Sequence, residues 1–318
     1  MTSYALRRLG AVFGTLVVMS LLVFLSTHAL PSNTAALILG QYSTPETRAA
    51  LEHKLGLDLP LTIQYWHWAS ALLRGDLGAS LVMERPVAPM LWDAFGRSAM
   101  LAGCTMGVVA TIGIAMGIVA AVWRGRWPDH CVSVFAYLGI SVPEFFWGLV
   151  LILIFGSTFH LLPTSGSATL SDGLGEMAAH LVLPVVTLTL TLLAHVSRLT
   201  RSSMLEVLDS MYVRVARARG FPERVVILRH ALRNALLPAI TILAQDFGFL
   251  IGGIVAVEAV FAYPGLGRLL IFSLERQDLP LMQAAILVLT AVYCLANLGA
   301  DLLYGVANPR IRYGGSVE

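Results

Sequence analysis

The side chains best suited to contact another molecule lie in one basic segment, Tyr212 to Asn234. This segment holds six arginines and one glutamate, although only 13% of the chain's 318 residues are charged. Guanidinium groups form strong, charge-assisted hydrogen bonds with carboxylates, so such a segment is suited to an acidic partner. It therefore predicts a binding surface and not a catalytic centre.

Recognisable motifs for catalysis or metal binding are absent from the sequence. A phosphate-binding loop needs the pattern G-x-x-x-x-G-K-[ST], and the single lysine, Lys54, follows no glycine-rich segment. The three cysteines form no CxxC pair and the eight histidines are scattered. The formal charge of +2 is too small to favour a nucleic-acid partner. We therefore predict a protein that is not an enzyme and has no catalytic residue, metal site or cofactor of its own.

Membrane-spanning helices must position the basic segment, because 57% of the residues are hydrophobic and many lie in long apolar runs. A helix needs about 20 apolar residues to cross about 30 Å of hydrocarbon. We predict an all-α, polytopic membrane protein with six transmembrane helices. They are approximately Leu9–Leu30, Ser98–Val122, Cys131–Phe155, His180–Val196, Leu236–Val257 and Met282–Val306. The first is expected to remain as an uncleaved anchor, since no A-x-A site follows it.

The arginines are unevenly divided between the two faces of this arrangement. One face would carry the basic segment together with Arg7, Arg8, Arg124, Arg126, Arg198, Arg201, Arg310 and Arg312, whereas the opposite face mixes fewer arginines with acids. Positive charge is retained on the cytoplasmic side of membranes. The pattern predicts that both termini are cytoplasmic and that the insert of residues 31–97 is extracytoplasmic.

Two helices are expected in the insert. Ser43-Thr-Pro-Glu46 fits a capping box that would open a helix ending at Gly56. A second helix is expected from Leu61 to Leu73, ended by Arg74-Gly75. Its run "QYWHWASALL" is rich in aromatic residues, which favour a belt at the bilayer surface over a ligand-stacking site.

Turn residues predict two helices joined by a bend within the basic segment. Ser210 is suited to cap a short helix, Gly220 to end it in a left-handed conformation, and Pro222 to open the next helix. Arg214 and Arg217 share one face of the short helix. Ala216 and Ala218 beside them would keep that surface shallow. A solvated basic loop would not need two helices joined by a bend, so this shape favours a surface that contacts a partner.

Several motifs resemble the dipeptide/oligopeptide/nickel permeases of ABC importers, and specifically the first of the two permease subunits. They are "YVRVARARG" with "LRHALRNALLP", "VEAVFAYPGLGRLL" and the terminal "DLLYGVANPRIRYG". The insert adds "LGLDLPLTIQYWHW", "GDLGAS" and "RPV", so the resemblance extends from the first span to Tyr313. Three departures are Arg214-Val215, where the EAA motif has Glu-Ala, Pro31-Ser32-Asn33-Thr34, where P-G-D-P is usual, and Asp246, where a neutral polar residue is expected.

The resemblance implies a type I, binding-protein-dependent ABC importer permease of the bacterial inner membrane. Its partners would be a second homologous permease, two ATP-binding cassette subunits that bind ATP and Mg, and an extracytoplasmic solute-binding protein. The implied substrates are short peptides (dipeptides or oligopeptides), with nickel or another small solute as the alternative. A secondary transporter or channel subunit is a different class of function, but no convincing internal repeat supports a secondary transporter.

The same resemblance assigns the basic segment to the loop that couples the permease to its ATPases. The ATPase-coupling residues would be Tyr212, Arg214, Ala216, Arg217, Ala218, Arg219, Gly220 and Arg224. The chain would then consist of residues 1–30 (tail and first helix), 31–97 (insert), 94–306 (transmembrane core, with a cytoplasmic coupling region at 198–235) and 307–318 (cytoplasmic tail).

Two further groups of residues are candidates for transport itself. Glu144 and Asp246 are acids within predicted spans, where contact with lipid is costly, so they would face the translocation path or pair with the partner subunit. The alternative is that they pair structurally. The turn-forming residues after the fifth span predict a gate-like, re-entrant hairpin, with an ordinary loop as the alternative. Its candidate residues are Glu258, Tyr263, Pro264, Gly265 and Gly267.

Overall fold

A computed structural model describes residues 2–29, 44–46 and 58–307 of the chain, and this described part is mostly helical. An isolated β-bridge joins Ala79 and Pro86. The long helices are α1 (Thr2–Ala29), α2 (Leu61–Leu73), α3 (Val87–Val122), α4 (Trp127–Ser141), α5 (Glu144–Thr158), α6 (Leu174–Leu208), α7 (Met211–Ala218), α8 (Glu223–Val260), α9 (Leu266–Glu275) and α10 (Leu279–Ala307).

Five helices in the described part are long and apolar enough to cross a membrane. They lie at Leu6–Thr27, Val87–Val122, Leu174–Leu208, Glu223–Val260 and Leu279–Leu302. Helices α4 and α5 provide a sixth span if this bent pair is counted as one. The prediction of an all-α protein with multiple spans is therefore confirmed.

The third predicted span, Cys131–Phe155, is wrong as a continuous helix. Helices α4 and α5 are bent by 105° at the break between them. Val142 is extended, with φ −113° and ψ 129°, and Pro143 follows it. Proline has no N–H to donate and its ring disfavours helical geometry in the preceding residue, so the helix ends there.

The fourth span is much longer than the predicted His180–Val196. Helix α6 runs for 35 residues, from Leu174 to Leu208, and continues through Pro184. Arg198 and Arg201, which ended the apolar run in the sequence, therefore belong to this helix. The segment between the helices α6 and α8 is correspondingly shorter than the predicted region 198–235.

One compact unit contains the described residues 2–6, 99–263 and 293–307. Its core gathers side chains of α3, α6 and α8, including Val109, Leu188, Leu192 and Ile254. Glycines allow the helices to approach closely, as is usual in membrane bundles. A β-carbon on Gly117 of α3 would lie 2.5 Å from the β-carbon of Thr200 on α6.

The other compact unit contains the described residues 7–29, 44–46, 58–98 and 264–292. Its core combines α3, α9 and α10 through residues such as Leu91, Leu266 and Leu281. Asp278 is fully buried and accepts hydrogen bonds from the Ser80 hydroxyl and from the N–H groups of Leu81 and Val82. The loop that carries "GDLGAS" is thereby held against the start of α10.

The second helix of the insert is confirmed as α2, Leu61–Leu73, and Gly75 beyond it has φ +83°. The helix predicted between Ser43 and Gly56 lies largely outside the described residues. Helix α9 was not predicted, because the sequence interpretation treated the region after the fifth span as a loop.

Candidate functional site

The basic segment forms two helices joined by a bend, as the turn residues predict. Helix α7 ends at Ala218, Gly220 has φ +79°, and Glu223 begins α8 directly after Pro222. The N–H groups of Gly220 and Phe221 donate to the carbonyls of Arg217 and Ala216, which closes the last turn of α7. A β-carbon on Gly220 would meet no atom within 4 Å, so only its positive φ constrains the residue type there.

Ser210 occupies the predicted cap position but does not cap α7. It has the extended geometry of a cap residue, φ −70° and ψ 154°, yet its side chain makes no hydrogen bond to the first turn. The hydroxyl donates instead to the carbonyl of Val207 at the end of α6. The prediction was therefore correct for the helix start and wrong for the hydrogen bond.

Arg217 is paired within the chain and does not point freely towards a partner. Its Nη2 lies 2.7 Å from Oε1 of Glu223, and its Nε lies 3.1 Å from Oε2. These hydrogen bonds raise the pKa of Arg217 above its usual value. The ion pair bridges the bend at Gly220, and since both side chains are substantially exposed it contributes only about 0–1 kcal/mol.

The two alanines of α7 differ in environment. Ala216 is buried with Val213 in a core that also contains Met204 of α6 and Val226 of α8. Ala218 is exposed. Ala216 therefore holds α7 against its neighbours, and the idea that both alanines form a shallow outer surface is wrong. The other coupling candidates, Tyr212, Arg214, Arg219, Gly220 and Arg224, are exposed.

An open, mostly apolar groove lies along α7. Its volume is about 640 Å³, and it is lined by Met211, Tyr212, Val215, Ala216, Arg219, Phe221 and His230. The side chains of Met211, Tyr212, Val215 and Phe221 are exposed despite their apolar character. The sequence interpretation concentrated on arginine and overlooked this surface, although Tyr212, Val215 and Arg219 recur at helical spacing.

A partly buried ion pair near the basic segment was also missed: the side chain of Asp129 is buried and that of Arg201 is 30% exposed. Asp129 is 3% exposed, and its carboxylate accepts two hydrogen bonds from Arg201, at 2.6 Å from Nε and 2.8 Å from Nη2. The N–H of Gly125 donates to the same carboxylate at 2.9 Å. The loop between α3 and α4 is thereby fixed to α6. The two partners are 72 residues apart in sequence, so no local pattern indicated the pair.

Of the two acidic candidates for the translocation path, Glu144 packs against α8 and Asp246 belongs to α8. The Glu144 carboxylate packs on Gly253, where an added β-carbon would clash with both carboxylate oxygens. Asp246 is 5% exposed, and its Oδ1 lies 3.6 Å from Nδ1 of His195. Asp246 and Gly253 are two helical turns apart, about 10 Å along the same face. The other carboxylate oxygen of Asp246, Oδ2, is buried and has no hydrogen-bond partner among the described residues.

The predicted gate residues fall in two places, and the first is the end of α8. Glu258 and Tyr263 are buried, and the N–H of Tyr263 donates to the carbonyl of Glu258 at 2.9 Å. The left-handed residue of this turn is Ala262, with φ +49°.

The second place is the start of α9. Gly265 is extended, with φ −95°, and Gly267 lies inside α9. The carbonyl of Pro264 accepts a hydrogen bond from Nε of Arg97 at 2.7 Å. The predicted hairpin bending at the glycines is therefore wrong, because Ala262 forms the turn and a helix follows.

Comparison with known proteins gives matches along almost the whole chain. The family described as "Binding-protein-dependent transport system inner membrane component" matches residues 113–313, and "Binding-prot-dependent transport system membrane comp, N-term" matches residues 1–115. Glutathione transport system permease protein GsiC of Escherichia coli strain K12 is 42% identical over 98% of this chain and 100% of its own length. The protein of that name from Salmonella typhimurium is 41% identical over the same shares. The solved structure of an amino acid ABC transporter with histidines is more distant, at 16% identity and a TM-score of 0.49, over 70% of this chain and 94% of that one.

Proposed function

The chain belongs to the family of inner membrane components of binding-protein-dependent transport systems and is a permease subunit of an ABC importer, and we propose that this importer takes up short peptides. Membership of this family implies a partner permease, ATPase subunits and a solute-binding protein. A transport subunit of this kind is not itself expected to hydrolyse ATP. We propose that two partner ATPase chains bind ATP and Mg and hydrolyse the ATP. These two chains are either identical or different.

The substrate proposal rests on the full-length similarity to permeases named for glutathione transport. Glutathione is a short peptide, which agrees with the peptide class implied by the sequence motifs. The alternative substrate remains nickel or another small solute.

Uptake by cells that lack this chain tests the substrate proposal. We expect uptake of radiolabelled glutathione or of a labelled dipeptide to fall to background and to return when the chain is restored on a plasmid. Labelled nickel is measured in the same cells as the comparison. Loss of nickel uptake with unchanged uptake of both peptides would overturn the peptide proposal and leave the family assignment intact.

We also propose that the groove along α7 is the ATPase docking surface. One side of α7 is buried through Val213 and Ala216, so the helix is fixed to the rest of the permease. The other side exposes Met211, Tyr212 and Val215. Exposed apolar clusters of this kind commonly mark protein interfaces, in which aromatic side chains supply much of the binding energy. The basic side chains beside the groove, Arg214 and Arg219, suit an acidic rim on the partner.

Replacing Phe221 with alanine is expected to weaken ATPase binding about tenfold, equivalent to about 1.4 kcal/mol, because an aromatic anchor would be removed from the groove. The measurement is co-purification of the ATPase subunits with the tagged permease pair in detergent. Arg217→Ala serves as the control, since Arg217 is already paired with Glu223. A larger loss in Arg217→Ala than in Phe221→Ala would mean that charge, and not the apolar groove, decides docking.

For the membrane orientation, we propose that both termini are cytoplasmic, on the strength of the arginine asymmetry. The basic segment and the loop between α3 and α4 then share the cytoplasmic side with the ATPases. Glu144 remains our candidate for the translocation path, because its carboxylate lies at the break between α4 and α5 and has no cationic partner among the ion pairs of the described residues.

A further inference from the structure

Helix α2 carries no charged residue and exposes a large apolar surface, although it lies in the loop between two membrane spans. Its thirteen residues, "LTIQYWHWASALL", include no acid, lysine or arginine, and none of them is buried within the chain. Trp66 is 72% exposed and Leu73 is 85% exposed. A helix of this composition in water would present an extended apolar surface, which monomeric soluble proteins rarely do.

The contacts of α2 place it beside the membrane span formed by α1. The hydroxyl of Tyr65 lies 2.8 Å from Oγ of Ser20. The ring of Phe24 lies 5.4 Å from the ring of Tyr65 and 5.8 Å from that of Trp68, measured between centroids. The two helices therefore pack through aromatic side chains and one partly buried hydroxyl pair.

These contacts also indicate how deep α2 lies. The apolar span of α1 extends to Thr27, and Ser20 is seven residues before that end. At 1.5 Å per residue, the Tyr65 hydroxyl reaches a level about 10 Å inside the end of the span. Leu21, Leu22 and Leu25 of α1 are exposed on this stretch, so an apolar outer surface continues from α1 to α2.

We propose that α2 lies within the membrane interface at the C-terminal end of α1, with Trp66 and Ile63 in contact with lipid. Charged residues occur only beyond its ends, at Asp58 before the helix and at Arg74 and Asp76 after it. Tryptophan and tyrosine are enriched where hydrocarbon meets the headgroups, and amphipathic or apolar helices bind that boundary through buried apolar area. The loop between α1 and α3 is thereby anchored to the bilayer at a second point.

Site-directed spin labelling measures the surroundings of α2 in the whole importer. Trp66→Cys is labelled with a nitroxide in a chain whose three native cysteines, Cys104, Cys131 and Cys294, are replaced by alanine. Leu22→Cys on the exposed face of α1 is the lipid reference, and Arg74→Cys just after α2 is the reference outside the apolar helix. Collision with oxygen reports on hydrocarbon, and collision with a water-soluble nickel chelate reports on water.

In liposomes, we expect the Trp66 label to resemble the Leu22 label, with a ratio of oxygen to chelate accessibility several-fold above that of the Arg74 label. Free access of the chelate to the Trp66 label would show that α2 lies in water and would overturn the proposal. Protection from both reagents would mean that a protein covers Trp66, and this result would also overturn the proposal. Repeating the measurement without the partner permease, and then without the binding protein, would identify the protein that covers Trp66. Transport by the labelled importer shows that the chain is folded.

Discussion

Replacing Arg201 with alanine is expected to destabilise the folded permease by about 3 kcal/mol, because the substitution leaves the Asp129 carboxylate buried without its cation. Arg201 makes two hydrogen bonds to Asp129, and among the described residues one N–H, that of Gly125, would remain as a donor. The midpoint of thermal unfolding of the purified permease in detergent should fall accordingly, and less folded protein should be recovered from membranes.

Arg198→Ala provides the matched control, since Arg198 lies one turn earlier on α6 and is exposed. A second comparison replaces both partners by apolar residues of similar size, Asp129→Leu with Arg201→Met. Substitution of a whole buried ion pair is often close to neutral, so the double variant should recover much of the lost stability. Equal midpoints for Arg201→Ala and Arg198→Ala would mean that the ion pair does not stabilise the fold.

Replacing Gly117 with alanine is expected to destabilise the bundle by about 1–3 kcal/mol, because one methyl group must be accommodated in a closed helix contact. The added β-carbon would lie 2.5 Å from the β-carbon of Thr200 and 2.7 Å from the carbonyl oxygen of Ser197. Neither of these atoms is the end of a flexible side chain, so α3 and α6 would have to move apart. Thermal unfolding in detergent again gives the measurement.

Gly103→Ala on the same helix, α3, tests whether the effect arises from packing. A β-carbon on Gly103 would meet no atom within 4 Å. Alanine is a better helix former than glycine by about 1 kcal/mol, so Gly103→Ala should be neutral or slightly stabilising. If both variants unfolded at the same temperature, the close approach of α3 to α6 would not limit stability.

Much of the secondary structure could be predicted because its signals are local. A run of apolar residues is long enough to span a bilayer wherever it occurs, and the described spans lie where those runs are. Helix α2 begins after Pro60 and ends before Gly75, and the bend of the basic segment lies at Gly220, since these residues limit their own backbone conformations. The predicted end of the fourth span was wrong because Arg198 and Arg201 interrupt the apolar run, whereas helix α6 continues through them to Leu208.

The candidate sites depended more on the tertiary structure. Ala262 has positive φ although the neighbouring Gly265 does not, which is possible because the surrounding contacts, such as the Tyr263 to Glu258 hydrogen bond, outweigh the local preference. Arg217 pairs with Glu223 across a bend. The groove of α7 exists because Val213 and Ala216 turn inward and leave Tyr212 and Val215 outside.

The sequence by itself determined that this protein is a multi-span helical permease with a bent basic segment, because composition, turn residues and the order of motifs all reside in consecutive residues. The tertiary structure alone decided which charges are paired, which glycines close helix contacts and which side of each helix is exposed. Those properties depend on distances between residues far apart in the chain, such as Asp129 and Arg201 or Glu144 and Gly253, and such distances exist only once the helices have packed.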